Sequence, residues 1–390
     1  MGTIPYDLMM LAVVFGLLWL LWVLPLKKSR LWAVLAPIGC GVVGLLAAGL
    51  FAKIFNSNMG QCICHGVCWH GAIFLIACAA ILVIRKRILL ALIPAFFGIV
   101  AFTLGFYSMI YEPYALQVEN YVIHSPKIKR PLRIVFVADI QTDNIGQYEH
   151  DTLRIMMEQK PHLIIFGGDY LQLYMGGLPG EMEELGKRFR ALLQSSNLHA
   201  PLGMYAVWGN VDPIKPDEGT SSPGADENIF NGTGIKIFIN TKVLKDIGKD
   251  SSEDFGTIDL SLLEMVNSFA YGKYNKKCPP SDNYHIMVGH SPAFMVVNSE
   301  NLKDSPDLML AGHTHGGQVN LPSFIRSFFE RIFATSETKL PPEWGKSGFY
   351  TIGDNKWLLI TRGSGIERGW APRIRFMCPP EISVIDILPE

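Results

Sequence analysis

The sequence predicts two parts: an N-terminal region of four membrane-spanning helices, then an α/β domain built around a mixed sheet. Three observations carry this. The chain has 390 residues, 49% hydrophobic and 18% charged, with a formal net charge of -1, yet roughly the first 115 residues hold few of those charges. Beyond them, five short apolar runs each end on a residue able to bind a metal. Between the first three runs lie stretches with helical spacing, which gives a β-α-β alternation. The length allows more than one domain, and the boundaries are expected at residues 1–115 and 130–390. The balanced charge offers no basic footprint for a nucleic acid.

The apolar spans run over about residues 8–26, 31–52, 67–84 and 88–111. Each is close to the ~20 residues that a helix needs to cross a bilayer. No Lys or Arg precedes the first span, so a cleaved signal peptide is not expected. Lys27, Lys28 and Arg30 separate spans one and two, and Arg85, Lys86 and Arg87 separate spans three and four. The intervening loop carries only Lys53. The positive-inside rule then places the two basic loops in the cytoplasm, and the N-terminus and the C-terminal domain on the non-cytoplasmic side. Lys127, Lys129 and Arg130 argue weakly the other way.

The middle loop contains Cys62, Cys64, His65, Cys68 and His70. These residue types can bind a metal. A disulfide with a spare thiol, or lipid-modified cysteines, are the plainer readings. Cys40 and Cys78 read as packing residues within spans, and Cys278 and Cys378 are isolated in sequence.

From residue 112 to about 129 a mixed, extended stretch is expected. The first run, Ile134-Val135-Phe136-Val137-Ala138, ends at Asp139, and the second, Leu163-Ile164-Ile165-Phe166, at Gly167-Gly168-Asp169. The third, Met204-Tyr205-Ala206-Val207-Trp208, ends at Gly209-Asn210. Ile286-Met287-Val288 ends at Gly289-His290, and Leu308-Met309-Leu310-Ala311 at Gly312-His313. Continuous apolar runs of this length read as strands buried on both faces, and open α/β sheets bind ligands beyond the carboxyl ends of their strands. Residues 147–160 and 181–193 have helical spacing.

The last block, Gly312-His313-Thr314-His315-Gly316-Gly317, could present two imidazoles to one ligand, because the flanking glycines permit close approach. Two histidines in a surface loop are the plain alternative. Residues 213–227 read as a loop and Ile235 to Ile239 as a weak strand. Asn231-Gly232-Thr233 is a glycosylation sequon or simply a turn. Phe324, Ile325, Phe328, Phe329, Ile332 and Phe333 form one face of an amphipathic helix, suited to a membrane interface or to a core. Residues 348–388 read as closing β-structure.

With these blocks in order, residues 130–390 resemble the calcineurin-like metallophosphoesterases. The family's Asp-x-His, Gly-Asp, Gly-Asn-His-Asp/Glu, lone His and Gly-His-x-His stand here as Asp139-Ile140-Gln141, Gly168-Asp169, Gly209-Asn210-Val211-Asp212, Gly289-His290 and Gly312-His313-Thr314-His315. Glu112-Pro113, Gly316-Gly317-Gln318-Val319, Thr361-Arg362-Gly363-Ser364-Gly365, Pro372-Arg373-Ile374-Arg375 and Pro379-Pro380-Glu381-Ile382 resemble the membrane-associated bacterial branch, implying a bacterial inner-membrane location.

The resemblance implies an α/β domain of two mixed β-sheets sandwiched by helices, with a centre of two divalent metal ions, manganese first and iron or zinc as alternatives. Asp139, Gln141 and His315 would hold one ion, Asn210, His290 and His313 the other, and Asp169 would bridge them. Two cations roughly 3.5–4 Å apart acidify a bridging water and neutralise phosphate oxygens during in-line attack. Gln141 replaces the family's usual His with a weaker amide donor. Val211 replaces the His that protonates the leaving group, and Asp212, the remaining catalytic candidate, would normally orient that His.

The expected activity is hydrolysis of a phosphodiester or pyrophosphate in a phosphorylated small molecule or lipid, with membrane lipids as partners. A UDP-2,3-diacylglucosamine pyrophosphatase of lipid A synthesis is one alternative. A catalytically weak metal-binding scaffold or receptor is the other.

Overall fold

The computed structural model describes residues 4–23, 30–54, 59–173, 177–212, 229–249, 251–269, 282–295, 306–321, 346–368 and 372–390. Lys27, Lys28, Cys278, the 213–227 loop and the Phe-rich segment 324–333 lie outside them. The chain forms two compact units, Met1–Tyr111 with Arg368–Ile374, and Glu112–Glu367 with Arg375–Glu390.

In the first unit, α1 (Ile4–Val23) is followed by α2 (Arg30–Ile54), α3 (Met59–His65), a π-helical turn (Gly66–Gly71), α4 (Ala72–Ile84) and α5 (Ile88–Phe106). Among the described residues, three helices are long and apolar enough to cross a membrane: Ile4–Val23, Gly60–Ile84 and Ile88–Tyr114. In the position of the second expected span, α2 contributes a shorter apolar stretch, Ile38–Phe51. These helices fit a transmembrane region. The middle segment with its cysteines is helical, not a loop. Cys62 and His70 are buried in it, and Tyr6 Oη donates to the Cys62 carbonyl at 2.6 Å. None of the described cysteines is in a disulfide.

The second unit opens with β1 (Gln117–His124), β2 (Leu132–Val137), α6 (Gln147–Glu158), β3 (Leu163–Phe166), α7 (Glu181–Ser195), β4 (Met204–Ala206) and β5 (Ile235–Ile237). It continues with β6 (Lys242–Ile247), β7 (Ile258–Leu262), α8 (Met265–Ser268), β8 (Tyr284–Val288), β9 (Leu308–Ala311), β10 (Gly348–Gly353), β11 (Lys356–Ile360) and β12 (Glu381–Leu388). Two six-stranded sheets result, ordered β1-β12-β2-β3-β4-β5 and β10-β11-β9-β8-β7-β6.

Both sheets are mixed. β2 to β5 run parallel beside an antiparallel β12–β2 pair. β7, β8, β9 and β11 run parallel between antiparallel edges. The stretch expected only to be extended contains β1, a full parallel partner of β12.

Alternation along each strand supplies a core between the sheets and one on the outer face of each sheet. Ile134 and Phe136 of β2, Ile165 of β3, Ile286 of β8 and Leu308 and Leu310 of β9 share the cluster between the sheets. Val135, Val137, Ile164 and Phe166 face the other way, onto Leu153 and Met156 of α6 and Leu185 and Phe189 of α7. Met287, Met309, Leu358 and Ile360 form the outer core of the second sheet. Burial on both faces explains why these strands read as unbroken apolar runs. Each buried aliphatic side chain stabilises the sandwich by about 1.5–3 kcal/mol.

Candidate metal centre

Five parallel strands end at one place. Asp139, Asp169, Asn210, His290 and His313 follow β2, β3, β4, β8 and β9 within a few residues of each strand end, where the backbone leaves its ladder. Asp139, Gln141, Asp169, His313 and His315 have φ of 53°, 38°, 58°, 69° and 49°. Side chains rarely adopt this left-handed region, and each such residue costs on the order of 1–3 kcal/mol. The cost is met by cross-connections between the turns. Asp139 N donates to Gly168 O at 2.9 Å, Gln141 N to Asp169 O at 2.9 Å, and Gly312 N to His290 O at 2.8 Å. Gly209 is required for close approach: a Cβ there would lie 2.0 Å from Asp169 Oδ1.

The side chains converge as two sets. Asp139, Asp169 and His315 place ligand atoms within 4.8 Å of one another, and so do Asp169, His290 and His313. Asp169 belongs to both. The Asp139 carboxylate accepts from His313 N at 2.9 and 3.0 Å. Asp169 Oδ1 accepts from Val211 N at 3.0 Å, and Asp169 Oδ2 accepts from Gln141 Nε2 at 3.0 Å.

His290 Nδ1 lies 2.8 Å from the Gly167 carbonyl, which only accepts, so this nitrogen carries a proton. The other nitrogen, Nε2, faces Asn210 Oδ1 at 3.0 Å and Asp169 Oδ2 at 3.2 Å. Three lone-pair atoms this close require a proton or a cation among them.

Electrostatics agree. Burial disfavours the protonated form of His290, but the Asp169 and Asp139 carboxylates outweigh it and raise its pKa to about 9. Burial would raise Asp169, yet His290 and the Val211 N–H bring it down to about 2. Burial raises Asp139 to about 7, with Asp169 adding to the shift. Burial and the neighbouring His290 hold His313 down at about 4. His315 is pushed well below its usual value by burial and by Arg375.

Whether a metal fits is decided most directly by His315. It is buried, and neither ring nitrogen has a hydrogen-bond partner. An orphaned buried imidazole is costly unless another group engages it, and neutral imidazoles beside carboxylates are a donor set for manganese, iron or zinc. The residues fit a metal.

The remaining candidates have distinct places. Gln141 is buried, with Nε2 also reaching Glu367 Oε2 at 3.3 Å. Asp212 is buried, and its carboxylate accepts from Gly209 N at 2.7 Å, Tyr170 N at 2.7 Å and Asp169 N at 3.1 Å. These bonds tie the β3 turn to the β4 turn, so Asp212 positions Asp169 and Asn210. Burial and then Asp169 raise its pKa to about 7.

Sequence reasoning overlooked the support beneath Asp139. Ser364 N donates to Ala138 O at 2.9 Å and Gly365 N to Asp139 O at 2.7 Å. That loop is held by Arg375, fully buried, whose guanidinium donates to Gly365 O at 2.6 Å, Arg362 O at 2.7 Å and Cys378 O at 2.9 Å. Glu112 in turn accepts from Cys378 N at 2.7 Å and Met377 N at 2.9 Å. The motifs noted at Glu112, Thr361–Gly365 and Arg375 were the available signal, and these bonds give them a shared structural role. Glu367 and Gln172 carried no sequence signal.

Residues 132–317 match the family described as calcineurin-like phosphoesterase. The phosphodiesterase YaeI of Escherichia coli (strain K12) is 26% identical over 269 residues, spanning 66% of this chain and 83% of that protein. The uncharacterized protein YpbG of Bacillus subtilis (strain 168) is 28% identical over 273 residues, 70% of this chain and 87% of that protein. The UDP-2,3-diacylglucosamine pyrophosphatase LpxG of Chlamydia trachomatis serovar D is 24% identical over 303 residues, 66% of this chain and 84% of that protein.

Proposed function

We propose, starting from the calcineurin-like phosphoesterase domain that this chain carries, that the protein is a multi-pass membrane enzyme. It hydrolyses a phosphodiester or pyrophosphate bond, with a lipid as the substrate class. The membrane region, residues 1–115, anchors the 130–390 domain in a bacterial inner membrane. The observation that carries the catalytic part is the pair of ligand sets sharing Asp169. The apolar helices support the lipid part.

Asp139, Gln141, Asp169 and His315 would hold one divalent ion, manganese first, and Asp169, Asn210, His290 and His313 a second. Such ions lower the pKa of a water and neutralise charge on the phosphate oxygens. The chain's own contribution is placement. The Gly167 carbonyl keeps the proton of neutral His290 on Nδ1, so that Nε2 is free to ligate. The His313 backbone N–H steadies both oxygens of Asp139, and Asp212 locks the two turns that present Asp169 and Asn210. Where the family has a leaving-group acid, Val211 offers only its backbone N–H, which is engaged by Asp169. The substrate this favours has a leaving group that departs without a proton, such as a phosphate from a pyrophosphate bond. For a poor leaving group the missing acid costs on the order of 10²–10⁴-fold.

The test uses full-length protein in detergent with manganese, a bis-aryl phosphodiester and a panel of lipid phosphodiesters and pyrophosphates, beside His313→Ala. Turnover lost in the variant supports the reading; no turnover of any member, or equal turnover by the variant, sinks it.

The relative named as a UDP-2,3-diacylglucosamine pyrophosphatase motivates a second reading with that substrate. It requires a cytoplasmic catalytic domain, because UDP-sugars are cytoplasmic, whereas the basic loops favour the opposite side. A C-terminal reporter fusion separates the two. Gln141 and Val211 motivate a metal-binding scaffold, which predicts fewer than two ions per chain and no turnover.

A further inference from the structure

Resting on the metal-centre reading above, we propose that Glu367 is a ligand of this centre and completes the Asp139–His315 position, where Gln141 stands in place of a histidine. An amide oxygen donates more weakly than an imidazole, so that position is short of one strong donor.

The geometry points to the replacement. Gln141 Nε2 sits between two carboxylates, 3.0 Å from Asp169 Oδ2 and 3.3 Å from Glu367 Oε2. An N–H group between two anionic oxygens occupies a place that attracts a cation. Turning the amide by 180° exchanges its nitrogen for its oxygen at little steric cost. It would then set three oxygens against one another, unless a cation lay among them. The turn and the binding of an ion are therefore coupled.

Two further facts support this. His315, with both ring nitrogens buried and unpartnered, is grouped with Asp139 and Asp169. Glu367 is also already steered: its Oε1 accepts from Gln172 Nε2 at 2.7 Å, and its backbone N donates to Gln318 Oε1 at 2.9 Å.

A chemical consequence follows. With Asp139, Asp169, Glu367 and the Gln141 oxygen around a single imidazole, the position is rich in oxygen. Such sets suit manganese or magnesium, whereas added imidazole shifts preference toward zinc and iron. Glu367 thus sets which metal this half of the centre takes.

The experiment is metal analysis on the full-length protein in detergent. It is stripped with chelator, reloaded with manganese or with zinc, and measured by mass spectrometry and by the Mn²⁺ paramagnetic resonance signal. For Glu367→Gln, the second manganese should bind more than about a hundredfold more weakly, beyond the ~10–100-fold that a residue merely supporting a ligand is worth, with the melting temperature of the metal-free protein unchanged. The Gln141→His/Glu367→Gln double variant should recover two ions and accept zinc more readily than wild type. Glu367→Gln binding two manganese ions with wild-type affinity overturns the proposal, as does a double variant that recovers nothing while remaining folded. Wild-type protein that binds no ion at all overturns the metal-centre reading itself, which is a different failure.

Discussion

Among the described residues, histidines gather around an aspartate in each compact unit, and the two groups are built differently. In the helical unit, Asp7 Oδ1 meets His65 Nδ1 at 3.2 Å and His70 Nε2 at 3.4 Å. Both rings approach one carboxylate oxygen, and Gln61 Nε2 holds the far side of His65 at 2.7 Å. In the catalytic unit, two sets of ligand atoms close to within 4.8 Å around Asp169, and His315 has no hydrogen-bond partner for either nitrogen. Among the described residues, only the second arrangement forms such sets. The lesson is that residue type does not distinguish a ligand set from a polar contact between helices; convergence of lone pairs does. A helix spreads its side chains around a cylinder, whereas the ends of adjacent parallel strands aim several turns at one point.

The comparison can be broken most directly at Asp169. Asp169→Asn removes the group common to both sets, and turnover should fall by more than the ~10–100-fold that supporting residues alone are worth, with loss of bound metal measured in parallel. A variant with wild-type turnover would place the chemistry elsewhere.

Arg375→Ala should act on stability. It strips the buried donors from the carbonyls that hold the loop against Asp139 and should cost about 3 kcal/mol or more, read as a lower denaturation midpoint, with metal affinity reduced as well.

Metal affinity should also depend on pH. In the ion-free site His290 is protonated up to about pH 9, and an ion at Nε2 must displace that proton. Affinity should therefore rise by about tenfold per pH unit between roughly 7 and 9, and level off above. Calorimetry in buffers of different ionisation enthalpy measures the released proton, and a flat profile would refute the exchange.

The smallest effect belongs to the helical group. Asp7→Asn should leave metal content and turnover unchanged and lower stability by about 1 kcal/mol. A loss of metal there would collapse the contrast drawn between the two groups.

Much of the catalytic unit was legible because its physics is local and repetitive. Strands buried on both faces must be apolar throughout, so β2, β3, β4, β8 and β9 stood out, and the polar residues that follow these runs are the ones the fold brings together as the candidate site. The helical pattern of Leu153 and Met156 located α6 in the same way. Less was legible where a partner decides the structure. β7 reads Ile258-Asp259-Leu260-Ser261-Leu262 and looks unremarkable until Lys245 at 2.7 Å and Asn283 at 3.0 Å satisfy its buried Asp259. The segment from Gln61 to His70 read as a loop because it lies between two apolar spans, but it is helical.

The sequence by itself determined the class of each region and the identity of the groups at the strand ends, because burial dictates composition and composition is written in order along the chain. Tertiary structure alone decided which of those groups meet. Asp169 is shared between two sets because β3 sits between β2 and β4 in the first sheet and its turn reaches His290 of the second. Asp212 became a positioning residue because three backbone N–H groups surround it. Glu367 came into view only when residues 226 positions apart met at Gln141. Contacts over such separations follow from how sheets stack, and no local pattern in the chain encodes them.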